Sequence, residues 1–157
     1  MAQGSALRRL APMLPRVLLT PIARETLLAA VRQAAPREAI GLLGGADEAA
    51  AGDAGSAALR VTSFLAVANT STAADTFVVP AATFAAAAAT LRARGEILLG
   101  FAHSHPAGSA MPSLQDRREL WRDCLHLIVA GDGAGPADWC AFRLTSRGVE
   151  PLPLEVA

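Results

Sequence analysis

Phe101-Ala102-His103-Ser104-His105-Pro106-Ala107-Gly108-Ser109-Ala110-Met111-Pro112-Ser113-Leu114-Gln115-Asp116 is the stretch on which the reading of the chain turns. The apolar run before it, Ile97–Ala102, reads as a strand, and strand side chains alternate with period two, so His103 and His105 project from one face. One metal ion can then touch both. Pro106, Gly108 and Pro112 turn the chain sharply, and Ser113 opens a predicted helix whose first turn contains Asp116. That return can bring the carboxylate back to the imidazoles. Two imidazoles and a carboxylate form a three-ligand set for a catalytic zinc with an open fourth position. An H-x-H pair alone is common on strands, and Ser-x-x-Asp before an apolar helix is close to an ordinary capping box. Capping and ligation can share the same residues.

Such a site needs a general base from elsewhere in the chain. Ala39–Gly45 is a short apolar run ending in Gly-Gly, read as a buried strand starting just after Glu38. Taken alone, Glu38 reads as an exposed loop carboxylate, because charged residues mostly face water. Upstream, Arg16–Leu19 reads as a short strand. Thr20-Pro21 signals a helix start running to about Ala34, with Ile22, Leu27, Leu28 and Val31 facing a sheet and Pro36 ending it. Residues 46–58 are rich in Ala, Gly, Asp and Ser and read as a surface connection, and Leu59–Ala68 as a long strand. Asn69–Asp75 is turn-like. Phe77–Val79 is a brief strand piece before Pro80, and a helix follows to about Arg94, with Phe84 and Leu91 its only large apolar anchors and Gly95 its stop. Cys124–Ala130, Trp139–Leu144 and Val149–Leu154 read as strands. Alternation in Leu125-His126-Leu127 makes His126 a surface residue or a support for the ligands rather than a ligand. Gly131-Asp132-Gly133 precedes no helix, which rejects a phosphate-binding loop.

His103-x-His105, seven positions (106–112), Ser113, two positions and Asp116 together resemble the signature of the JAMM (MPN+, JAB-domain) zinc metalloproteases. The upstream segment Glu38-Ala39-Ile40-Gly41-Leu42-Leu43-Gly44 fits the glutamate context of that family. The order of Asn69, Phe77-Val78-Val79-Pro80, an alanine-rich helix and Leu98-Leu99-Gly100 is similar to the short bacterial members. The resemblance spans roughly residues 17–150. It implies a single-domain MPN/JAB-like (cytidine-deaminase-like) α/β sandwich with a mixed β-sheet flanked by helices, in accord with the strand and helix order.

The resemblance also implies a mechanism. His103, His105 and Asp116 would hold one Zn²⁺ per chain, Glu38 would act as general base and acid, and Ser113 would stabilise the oxyanion. The bond cut would be an isopeptide or peptide bond after the C-terminal Gly-Gly tail of a ubiquitin-like or sulfur-carrier protein. The tail is expected beside an edge strand near Val67–Thr72. Other branches with this fold include non-catalytic interaction scaffolds and DNA-repair-associated JAB-domain proteins. Scaffolds typically lack some of the five residues present here.

Composition agrees with a cytoplasmic enzyme. At 157 residues the chain suits one domain, expected over 16–157 after a flexible extension at 1–15 in which Pro12 and Pro15 interrupt any secretory signal. Hydrophobic residues make up 52% and mean hydropathy is +0.34, yet alanine supplies much of this and no apolar run spans a bilayer. Fourteen basic residues balance fourteen acidic ones, so no global field draws the chain to nucleic acid or an anionic membrane. The two cysteines, Cys124 and Cys140, suit a reducing compartment and read as buried thiols rather than a disulfide. Oligomeric state leaves no signal in the sequence.

Overall fold

One eight-stranded mixed sheet organises the computed structural model, which describes residues 7, 14–48 and 57–157. The strands are β1 (Arg16–Leu19), β2 (Ile40–Asp47), β3 (Ala58–Val67), β4 (Ile97–His105), β5 (Leu125–Ala130), β6 (Asp138–Thr145), β7 (Gly148–Pro151) and β8 (Leu154–Val156). They lie in the order β7-β6-β5-β4-β2-β3-β1-β8. The helices are α1 (Pro21–Ala34), α2 (Ala81–Ala93) and α3 (Leu114–Glu119). This is the mixed α/β sandwich that the sequence predicts. Of the expected extension at 1–15, only residues 7, 14 and 15 are described, and Leu7 packs against the α2 side of the sheet. Residues 49–56 of the expected connection also fall outside the described residues, while Ala46 and Asp47 belong to β2.

The two long helices, α1 and α2, cover opposite faces. Leu27 and Val31 of α1 join Leu43, Leu59, Leu99, Ala102 and Leu127 in one cluster, whereas Ala87, Ala88 and Leu91 of α2 join Leu42, Leu98, Phe101 and Cys124 in another. A register shift between β2 and β4 inserts Leu99 as an extra residue, which explains why Leu98 and Phe101 both face α2 although they are three apart. Beyond this bulge the alternation puts His103 and His105 on the α2 face with Phe101, and Ala102 and Ser104 on the α1 face.

α1 begins as predicted: the Thr20 hydroxyl accepts from the Ala23 N–H at 3.4 Å, and Pro21 occupies the first turn. Ile22, however, is 75% exposed, because the buried stripe runs through Ala23, Leu27 and Val31 instead. α2 ends at Gly95, whose φ of +74° suits the left-handed stop.

Two strand readings need correction. Phe77–Val79 joins no strand; Val78 instead exchanges bonds with the 69–70 turn, its N–H donating to Asn69 Oδ1 and its carbonyl accepting from Thr70 N–H. The run Val149–Leu154 is split. Its first part continues as β7 beside β6, and its last residue opens β8 beside β1, at the opposite end of the sheet. Only Leu152 and Pro153 separate these edges, a reach of about 11 Å at most across three peptide units. Leu152 N–H bonds the Ala141 carbonyl of β6, and the Pro153 carbonyl accepts from Val17 N–H of β1. The sheet therefore curls until its two ends nearly meet around α1. Among the described residues no helix is long and apolar enough to cross a membrane.

Candidate metal centre

β4 runs to His105, three residues beyond the apolar stretch that predicted it, and carries both imidazoles to the end of the sheet. His103 is buried at 2% exposure and tilts against the Phe77 ring, with centroids 5.1 Å apart. The turn after Pro106 is closed by Gly108 N–H on the His105 carbonyl, which also accepts from Gly131 N–H of the loop after β5. The chain then returns to Ser113, the N-cap of α3. Ser113 Oγ accepts from Asp116 N–H at 3.0 Å while Asp116 Oδ2 accepts from Ser113 N–H at 2.8 Å. The capping box is real, and it also orients the Asp116 carboxylate toward the histidines.

The donor atoms converge. His103 Nε2 lies 3.1 Å from His105 Nε2 and 3.3 Å from Asp116 Oδ1, and His105 Nε2 lies 3.2 Å from Asp116 Oδ2. Donors about 2.0–2.1 Å from one ion at tetrahedral angles stand about 3.3 Å apart. The two imidazoles come close to that spacing, Asp116 turns one carboxylate oxygen to each ring, and with one ligand atom taken per residue the set lies within 4.8 Å. His105 Nδ1 donates to the Ser109 carbonyl at 2.7 Å, because a carbonyl only accepts, and this leaves Nε2 of the neutral ring as the inward lone pair. Glu38 Oε1 stands farther off, 3.9 Å from His105 Nε2, beside the triad rather than in it. All four residues are thus brought together, with Ser113 exposed at the N-cap of α3.

Two groups outside the predicted set hold Glu38. Ser104, facing away from its flanking histidines, is fully buried; its Oγ accepts from Ala39 N–H at 2.8 Å and its own N–H donates to the Ala39 carbonyl. Asn69 uses its whole amide: Nδ2 donates to the carbonyls of Glu38 and Thr76, both at 3.0 Å, and Oδ1 accepts from Ser71 and Val78 N–H. It ties the base-bearing segment to the 69–78 turn. The only sequence signal for this role is an asparagine opening a polar turn.

Burial pushes the Glu38 carboxyl up to about 7 against the opposing pull of His105. Burial lowers His103. For His105 burial also pulls downward, but the bond to Asp116, the Ser109 carbonyl and the nearby carboxylates outweigh it and raise the ring. Asp116 is held well below the usual carboxylate range because the two histidines overcome the cost of burial.

His126 is not a surface residue. It is fully buried between the Phe101 and Phe142 rings, at centroid distances of 5.9 and 5.3 Å, and Nε2–H donates to the Trp121 carbonyl at 2.7 Å. Burial drops its pKa to about 4, and Nδ1 has no hydrogen-bond partner. Both cysteines are free thiols; Cys124 is buried and Cys140 only partly so.

A mixed α/β sandwich whose sheet end gathers two histidines and an aspartate around one point defines a JAB-type domain with a candidate metal group. The model of the prokaryotic homologs of the JAB domain matches residues 21–145, and the chain belongs to that family. A protein from Desulfitobacterium hafniense is similar in structure at 29% identity and TM-score 0.77, over 90% of this chain and 92% of that one. A JAB1/MPN domain protein from Archaeoglobus fulgidus shares the fold at 23% identity and TM-score 0.50, over 90% and 98% of the two chains. So does a structure described as a JAMM metalloprotease-like zinc site in the proteasome and signalosome, at 20% identity and TM-score 0.51, over 92% and 99%. Comparison with curated proteins finds no match.

Proposed function

We propose that this chain is a zinc-dependent metallopeptidase that hydrolyses the peptide or isopeptide bond after the C-terminal Gly-Gly tail of a ubiquitin-like or sulfur-carrier protein. The observation that carries the reading is the convergence of the His103 and His105 Nε2 atoms and the Asp116 carboxylate, with contacts of 3.1–3.3 Å, beside a buried glutamate. His103, His105 and Asp116 would hold the ion, and the imidazole and carboxylate donors are those zinc takes in catalytic sites. Zinc, when held, supplies Lewis acidity and lowers the pKa of water toward about 7. Glu38 takes a proton from the attacking water and returns it to the leaving amine, a double duty that suits a carboxyl held beside rather than within the ligand set. Ser113 spends a lone pair on the helix cap and keeps its O–H free to donate to the oxyanion.

A shallow hollow on the other side of Glu38 is lined by Ala34, Ala39, Ala66, Ala68 and Asn69, and a tail without side chains suits it. Strand addition at Val67–Thr72 is restricted, since the N–H groups of Thr70 and Ser71 are already bonded within the turn. We therefore read the tail as held by shape more than by an added ladder. Zinc content and cleavage of a carrier fusion through Gly-Gly test the proposal together. The expected result is one zinc per chain and turnover that falls by about 10²–10⁴-fold in Glu38→Gln with the metal retained. A metal-free protein, or unchanged turnover in the variant, refutes it; zinc without turnover points to a scaffold, and salt-sensitive DNA retention to a nucleic-acid role.

A further inference from the structure

Beside the metal centre, on the α2 face, lies a cavity of about 220 Å³ that the hydrolysis itself does not require. Its floor is Ile40, Leu42, Phe84, Phe101, Leu120 and Trp121. Three of these rings are stacked or tilted together: Phe101 and Trp121 at 4.3 Å, and Phe84 at 5.8 Å from each. Trp121 leaves 45% of its surface open although it belongs to this cluster. The mouth is different in kind. Exposed Asp75 and Glu119 stand there, buried Glu38 and Asp116 line the same cavity, and no arginine or histidine does. In a chain with equal numbers of acidic and basic residues, this is a local excess of negative charge.

We infer that this cavity is a specificity pocket for an arginine or lysine side chain of the substrate, next to the scissile bond and distinct from the amine released. An apolar floor and an acidic rim together fit one kind of side chain, a long aliphatic stem ending in a cation. The stem lies on Ile40, Leu42 and Leu120, and the cation meets the Trp121 face and the Asp75 and Glu119 carboxylates. A neutral aliphatic residue would fill the floor but leave the rim unmatched. An acidic residue would face like charges on Asp75 and Glu119. Because the ion would take up the Asp116 charge, the discrimination rests chiefly on Asp75 and Glu119, both exposed. Hydrogen bonding of Gln115 to Glu119 at 3.1 Å holds that carboxylate at the rim.

This inference rests on the peptidase reading for the identity of the ligand as a substrate, but its test does not need turnover. The probes are capped pentapeptides, acetyl-Gly-Gly-X-Gly-Gly-amide, with X as arginine, norleucine, phenylalanine or glutamate, titrated into the zinc-loaded protein and followed by the Trp121 indole resonance. Two partly screened ion pairs give arginine about a tenfold tighter binding than norleucine, with glutamate weakest. The Asp75→Asn, Glu119→Gln double variant, altered only at exposed positions, should reduce the arginine advantage to about twofold and leave norleucine binding unchanged. Equal binding of norleucine or phenylalanine and arginine overturns the inference, as does an arginine preference that survives the double variant or a Trp121 signal that never moves. Arginine preference in a protein that cuts no Gly-Gly fusion refutes the peptidase reading and leaves the pocket standing. Active enzyme without that preference refutes the pocket alone.

Discussion

Replacing Ser104 by alanine separates the two halves of the site. The hydroxyl is fully buried and accepts from Ala39 N–H at 2.8 Å, so its removal strands a backbone donor in the sheet interior beside Glu38. A buried donor left without its partner costs about 1–3 kcal/mol. For a domain of this length each kcal/mol lowers the melting midpoint by about 2–4 °C, giving a drop of roughly 2–12 °C. The histidines on either side face the opposite way, so their convergence with Asp116 should persist and zinc stoichiometry should stay the same. Glu38 loses a bond at its neighbouring residue, and displacement of a catalytic group by about 1 Å can reduce turnover as much as 100-fold. We therefore expect turnover lowered about 10- to 100-fold at constant metal content. Metal analysis, thermal unfolding and turnover of a Gly-Gly fusion on the same preparation decide it. Loss of zinc in proportion to activity, or full activity despite the lower midpoint, refutes the reasoning.

Other outcomes follow from the same geometry. His126, with its pKa depressed from 6.5 to about 4 by burial, refuses a proton that the unfolded chain accepts, so stability is steady above pH 6.5 and declines between pH 6.5 and 4. The loss is at most about 3 kcal/mol, and it should be missing from the difference curve of His126→Phe, measured by denaturant unfolding across that range. Gly100→Ala would set a Cβ 1.8 Å from the Leu125 carbonyl, forcing β4 from β5. Overpacking costs of about 3 kcal/mol or more are expected, with zinc binding weakened because β4 carries both imidazoles; a variant with unchanged melting and metal content would contradict this. Zinc should raise the unfolding midpoint and a chelator reverse it, by about 2.7 kcal/mol when free zinc is 100 times its Kd. A midpoint indifferent to both counts against the metal centre.

The parts of the molecule that sequence made legible are those where local rules and tertiary structure agree. Thr20-Pro21 and Ser113-x-x-Asp116 are caps in the sequence and caps in the fold. His103 and His105 alternate as strand residues must, and the structure keeps them on one face. What escaped was set by partners distant in sequence. His126 lies on β5 between β4 and β6, covered on both faces, where alternation no longer marks the surface. Ile22 has a helical spacing that suits burial, but the face that α1 packs on the sheet runs through Ala23, Leu27 and Val31. Pro151 and Pro153 mark a break in Val149–Leu154, but they do not reveal that Leu152-Pro153 is a corner between the two ends of the sheet. Ser104 reads from the sequence as a supporting residue pointing away from the ligands, and it is one; its tie to the segment of Glu38, and that of Asn69, escaped because each acts through a backbone group that only the fold brings within reach.

That corner has a consequence for how the protein is made. β1 near the start of the chain has β8 as one of its two neighbours, with Val17 opposite Leu154. During synthesis β1 emerges from the ribosome long before residues 154–156 exist, so its outer edge stays unpaired until translation of the sheet is complete. A nascent chain halted within β6 would present two open sheet margins at once, and chaperone capture should be strongest there and cease once β8 has been released.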